Sequence, residues 1–227
     1  MDGCQGGWLA VIRKEKAPLV AQVYGSFADL MSGVGSSARI AIDIPIGLPA
    51  RGARACELEA RQLLGRPRMA SVFPAPPMKC LRADTYKQAC QIRLRSDGKK
   101  MSLQAYGILP KIREVERYLL LHARLRRRIA EVHPEVSFAT WQGGGGLKYS
   151  KKTAAGKAER RALIDQRWPG AVDRLRIGLR GQDYALDDLH DAFAALWSAS
   201  RWLRGEGKFL GSRPAADRGG GPAGILV

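Results

Sequence analysis

The chain has 227 residues, 45% of them hydrophobic, with 38 Lys and Arg against 21 Asp and Glu, a formal charge of +17. That length and apolar content supply one large core, while the lack of an apolar run of about 18 residues or a basic-then-apolar opening sets the expectation of a soluble, cytoplasmic protein with no membrane partner. The excess of base points to a polyanion, nucleic acid first, against the plainer reading of an Arg-rich surface that serves solubility.

"MDGCQGG" opens the chain as an Asp-Gly turn. Two short strands are expected next, over 7–14 and 18–24, then a short helical turn over 26–33. "ARIAIDIPIGLP" (38–49) is the best strand: β-branched, continuously apolar, and stopped by Pro45 and Pro49. A run of that kind suits a strand covered on both faces. "ARACELEARQLLG" (53–65) predicts an amphipathic helix closed by Gly65. The loop 66–77 carries four prolines and no helical period. From Ser102 to Arg128 helical spacing dominates, with a break expected at Pro110. "IAEVHPEVSF" (129–138) returns to strand character, although Pro134 argues against an interior position. A glycine hinge and a strongly basic segment occupy 141–161, and 186–205 is the last clear helix, opened by acids and ended at Gly205. The layout is α/β with a mixed sheet. One domain spans 1–204, with a helical insert at about 80–128 and a basic flap at about 143–161. A Gly/Pro-rich tail, expected to be partly disordered, covers 205–227.

Acids stand at three places where chemistry could occur. Asp2 lies on the first turn, Asp43 interrupts an Ile-rich strand, and Asp188 and Asp191 share one face of the last helix. A carboxylate among isoleucines is costly to bury without compensation; the alternative is a strand-end acid accepting backbone N–H groups before Pro45. Asp187 and Asp188 also suit a helix cap, with Asp187 the better candidate, and Asp191 is less easily explained that way. Two carboxylates about 5 Å apart repel by roughly 3 kcal/mol at an effective dielectric near 20, so converging acids would need cations. An oxygen-only cluster suits Mg²⁺ or Mn²⁺, and a two-ion site of that kind hydrolyses phosphodiesters. Cys4, Cys56, Cys80 and Cys90 form no C-x-x-C pair and the histidines are scattered, which disfavours zinc and a disulfide framework.

"DGCQGGW", "DIPIGLP", "SVFPAP", "LPKIREVERYL", "EVHPEVSF", "KKTAAGKAERR" and "DDLHDA" stand in an order that resembles the predicted RNase-H-like nucleases catalogued as domain of unknown function 429. The resemblance covers Asp2 to about Arg204. It implies a ribonuclease H-like fold: a five-stranded mixed sheet of order 3-2-1-4-5 with helices on both faces. It also implies a metal-dependent nuclease whose acids are Asp2, Asp43, Asp188 and Asp191, with Glu135 in a supporting or substrate-side role. Family members carry several apolar residues before "DGC", where this chain has Met1 alone. The first strand is therefore expected to be cut short, with about five residues, mostly Val, Ile or Leu, lying upstream of the given start.

The remaining signals are weaker. "GGGGLKYSKKT" is not a phosphate loop, because neither Lys148 nor Lys157 stands in the required frame. It reads as a flap whose Lys148, Lys151, Lys152 and Lys157 meet nucleic acid, or as a solvated loop. Arg126 and Arg127, on the expected long helix, could track a phosphate backbone or form a solvated face. His133 and His190 could assist proton transfer or be structural. The leading expectation is a nuclease acting on DNA or RNA. The alternatives are a non-catalytic nucleic-acid-binding module and, less favoured, a kinase-like ATPase, whose second glycine-rich phosphate turn does not fit in 227 residues. No oligomeric state is assigned.

Overall fold

The computed structural model describes residues 1–211 and 224–227. β1 (Asp2–Cys4) and β2 (Gly7–Ile12) form an antiparallel hairpin with Asp2 opposite Leu9 and Cys4 opposite Gly7. Gly7 has φ +123°, and a Cβ there would lie 2.1 Å from the Tyr24 carbonyl oxygen, so only glycine closes this turn. β3 (Val20–Tyr24) pairs antiparallel with β2. Trp8 to Val11 are all buried, which makes β2 a strand covered on both faces. α1 (Phe27–Ser32) follows, its first turn capped by Ser26 Oγ accepting from the Asp29 N–H.

β4 (Ile40–Ile42) is the buried strand, shorter than expected and ending just before Asp43. α2 (Ala55–Leu64) runs as the pattern predicts and stops at Gly65. The helical insert comprises α3 (Tyr86–Asp97), α4 (Leu103–Gly107) and α5 (Leu109–Leu121). α3 buries only Ala89 and Arg93, which is why its helical period is faint. Pro110 interrupts nothing; it lies in the first turn of α5, where a missing N–H leaves no bond unmade.

β5 (Ile129–Glu131) pairs parallel with β4, Ile40 to Ile129 through Ile42 to Glu131. The strand character expected to reach residue 138 ends there. Pro134 opens α6 (Pro134–Trp141), whose residues from Pro134 to Ala139 are all buried. A helix buried on all sides has no exposed face to reveal its period. The basic segment likewise folds, into α7 (Ala154–Arg167), followed by α8 (Ala171–Gly178). α9 (Leu186–Leu203) packs on β1, β2 and β4. In the tail, β6 (Phe209–Leu210) and β7 (Ile225–Leu226) extend the sheet from β5, and the remainder of the segment expected to be partly disordered, 212–223, lies outside the described residues.

The strands form two sheets, β1-β2-β3 and β4-β5-β7-β6, and not the single five-stranded sheet of order 3-2-1-4-5 that the sequence led us to expect. The division falls between β1 and β4, where Met1 is the point of contact. There the Met1 ammonium donates to the Ala41 carbonyl at 2.8 Å, and the Asp43 N–H donates to the Met1 carbonyl at 3.1 Å. The two sheets therefore abut through one residue. Among the described residues no helix is long and apolar enough to cross a membrane.

Candidate metal centre

Three elements bring acids to that junction. Asp2 opens β1, Asp43 follows β4, and Asp191 stands in the second turn of α9. α9 can lie this close to the strands because Ala192, Ala194 and Ala195, all fully buried, give it a small-residue face. One carboxylate oxygen from each of Asp2, Asp43 and Asp191 lies within 4.8 Å of the others. Burial, reinforced by Asp43 and Asp191, drives Asp2 well above the usual carboxylate range. Burial likewise lifts Asp43 and Asp191 to about 6 each, with Lys151 opposing the rise in both. Asp191 Oδ1 is buried with no hydrogen-bond partner among the described residues.

The flap closes over this centre. Lys151 Nζ donates to Asp191 Oδ2, and its ammonium is held above the ordinary lysine range because Asp191, Asp43 and Asp2 outweigh the burial that lowers it. Lys152 Nζ pairs with Asp187 Oδ2 at 2.5 Å, so consecutive lysines engage acids one turn apart on α9. Arg160 of α7, fully buried, donates to Glu135 Oε1 at 2.5 Å and to the carbonyls of Gly156 (2.9 Å) and Tyr149 (3.3 Å). Glu135 Oε2 has no partner among the described residues. α7 crosses the flap backbone at Gly156, where a Cβ would stand 1.9 Å from the Ser150 carbonyl oxygen. Only hydrogen fits there.

Other expected site residues lie elsewhere. Asp188 is outside the carboxylate group. Its Oδ2 accepts from the Ala185 N–H at 2.8 Å, so it, and not Asp187, is the acid that satisfies a free N–H at the helix start. Arg126 does not line a groove; it is buried in the 3₁₀ turn Ala123–Arg127 and pairs with Glu116 at 3.4 Å. Arg127 is exposed on that turn, away from the acids. Of the flap lysines, Lys151 and Lys152 line the cleft over the centre, whereas Lys148 and Lys157 do not. His133 lines the cleft and its Nε2 faces the Ser71 carbonyl at 3.3 Å. His190 is buried away from it, neither ring nitrogen has a partner among the described residues, and burial pulls it down to about 4. It stays neutral, and its burial within α9 away from the cleft agrees with the structural alternative and not with proton transfer.

Glu131 was not singled out from the sequence. It ends β5 buried, takes a two-point ion pair from Arg54 at 2.6 and 2.7 Å, and accepts from the Ile46 N–H at 2.8 Å. The signal available was the same as for Asp43: an acid closing an apolar strand.

Two expectations follow from this arrangement. In metal-free protein Asp43 keeps its proton to about pH 6, whereas the unfolded chain loses it near 3.8. The folded state then binds more protons, so its stability falls as pH rises through that window. At about 1.4 kcal/mol per pH unit the difference approaches roughly 3 kcal/mol. Roughly half of that difference is lost between about pH 5 and pH 8, so melts in EDTA over that range should show Asp43→Asn gaining on the parent by roughly 3 to 6 °C. Parallel pH profiles would contradict the shift. The second concerns α9. Asp188→Ala should cost about 1 kcal/mol of stability as a lost cap and leave Mn²⁺ affinity within a few-fold of the parent. Calorimetric titration decides it, since a loss equal to that of Asp191→Ala would restore Asp188 to the ligand set.

The cleft above the carboxylates encloses about 500 Å³ and is also lined by Arg68, Phe73, Ile108 and Lys111. The family described as Protein of unknown function (DUF429) matches residues 1–216. No curated protein and no solved structure matches the chain.

Proposed function

The chain belongs to the DUF429 family, and we propose that it is a metal-dependent nuclease that hydrolyses phosphodiester bonds of DNA or RNA. One observation carries the reading: three acids from β1, the end of β4 and α9 meet within 4.8 Å, and one of their buried oxygens lacks any partner among the described residues. Such an arrangement is electrostatically unfavourable on its own, as the raised Asp2, Asp43 and Asp191 attest. The donor set is oxygen only, which fits Mg²⁺ or Mn²⁺. Asp2, Asp43 and Asp191 would hold the first ion, and Glu135 Oε2 is a spare buried oxygen for the second. Bound there, the ions supply Lewis acidity and a nucleophilic water at neutral pH.

The chain's own residues do the rest. Asp191 holds Lys151, whose positive charge would stand beside the reacting phosphate, and Arg160 fixes Glu135 by occupying its other oxygen. Arg54 pairs with Glu131 next to the centre and offsets that acid's charge, although Glu131 still contributes to the rise of Asp43. Support for an RNase-H-like fold comes from the run β3-β2-β1, continued across the Met1 contact to β4-β5. The +17 charge supports a polyanionic substrate.

The test is incubation with fluorescent single-stranded, duplex, hybrid and junction substrates in Mg²⁺, Mn²⁺ or EDTA. Cleavage in either metal and none in EDTA is expected. Binding without cleavage in every condition would replace the enzyme by a nucleic-acid-binding module.

A further inference from the structure

Phe73 is 48% exposed beside a carboxylate centre, and its loop is not free to hide it. Its neighbours Val72 and Ala75 are buried, at 2% each. Arg61 Nη1 of α2 donates to the Val72 carbonyl at 2.9 Å, and the Ala75 N–H donates to Glu57 Oε1 of the same helix at 2.8 Å. The backbone is thus pinned on both sides of Phe73, and the ring is presented to the cleft. Leaving an aromatic face in water forgoes the gain of burying it, so a ligand that covers it recovers that energy.

The rest of the lining says which ligand. Ile108, 37% exposed at the junction of α4 and α5, adds a second apolar surface. Arg68 enters from the 3₁₀ turn Arg68–Ser71, and its buried Nε has no partner among the described residues. Lys111 lies over the Trp8 ring at 4.6 Å, and Lys152 is 74% exposed at the flap. Acids for cations, cations for phosphates and an aromatic face for a flat ring meet in about 500 Å³. That combination matches one nucleotide unit. A base within duplex keeps its faces stacked on its neighbours, whereas sequence-tolerant single-strand sites pair a cationic groove with aromatic platforms.

We propose that the cleft takes an unpaired nucleotide, its base laid against Phe73 and its phosphate over the carboxylates, so that the substrate is single-stranded or locally unpaired nucleic acid and not uninterrupted duplex. This rests on the nuclease reading and narrows its substrate class.

The experiment uses the full chain, with Phe73→Ala and Phe73→Trp, and three probes: a short single strand, an intact duplex, and a duplex with an unpaired loop. Each carries 2-aminopurine, whose fluorescence is quenched on stacking. Anisotropy gives affinity in EDTA and in Mn²⁺, and cleavage is followed in parallel. The parent should prefer the two unpaired probes and quench them. Phe73→Ala should weaken those two by about tenfold or more, with the quench lost and the duplex unaffected, and Phe73→Trp should retain both. Equal affinity of parent and Phe73→Ala for all probes, or intact duplex bound and cut as well as single strand, would overturn the proposal while leaving a nuclease. Stacking and discrimination without cleavage in any metal would do the reverse, overturning the nuclease and sustaining the nucleotide site. No binding of any probe would end both.

Discussion

Asp43→Asn should abolish metal-dependent cleavage, by about a hundredfold or more, in a protein that folds as well as the parent. Replacing groups that only orient metal ligands costs 10- to 100-fold in activity or affinity, and Asp43 supplies one of the three converging oxygens directly. Asn preserves the volume and one carbonyl oxygen but removes the charge. Because burial already lifts Asp43 to about 6, the loss of that charge relieves the metal-free fold. The variant is therefore distinguished from a misfolded one by its melting temperature in EDTA, which should match or exceed the parent's at neutral pH. Mn²⁺ should raise the parent's melting temperature and leave the variant's nearly unmoved, by the linkage between binding and stability. Cleavage at the parent rate, with the same response to Mn²⁺, would refute the metal centre altogether.

The largest stability effect should come from Arg160. Its side chain is fully buried and the Glu135 partner nearly so. Arg160→Met keeps much of the volume and leaves a carboxylate in the core without its cation, which costs about 3 to 5 kcal/mol. For a chain of this size that is a fall of roughly 6 to 20 °C in melting temperature. The Tyr149 carbonyl loses its donor as well, and the Gly156 carbonyl its side-chain donor, so the flap should become the first site of proteolysis. Adding Glu135→Gln removes the stranded charge and should recover part of the loss, as replacement of both members of a buried pair often does. Thermal melts of the two single variants and the double variant measure the coupling. A change of less than about 1 kcal/mol in Arg160→Met would mean that the pair contributes little.

Much of the centre could be read in advance because an acid inside an apolar run conflicts with its surroundings. Asp43 was visible for that reason, Asp191 because helix capping does not account for an acid a turn into the helix, and α9 because it runs from an acidic start to Gly205. The same reasoning failed where a local pattern served a distant partner. Lys151 reads as one of several flap lysines, yet its partner stands 40 residues later on another helix. Arg126 reads as a surface cation because nothing nearby in sequence announces Glu116 beneath it. Asp187 and Asp188 are interchangeable in composition, and only the turn geometry at Ala185 decides which one caps. Strand character was assigned to 134–138 because a helix buried on all sides loses its period. The tail strands were missed because two residues each give no alternation to detect.

The crossing at Gly156 has a use in protein design. Every cation and carboxylate discussed above acts through its charge, and the substitutions proposed at those positions change that charge. Gly156 separates charge from position. It lies inside α7, so alanine there suits the helix itself by about 1 kcal/mol, but its methyl group needs the space held by the Ser150 carbonyl. The segment that must yield is Ser150–Lys151, the backbone that delivers the ammonium to Asp191. A single methyl group is thus a steric dial for a tethered cation, changing how far it stands from the acids while the net charge and every titrating group of the chain stay the same.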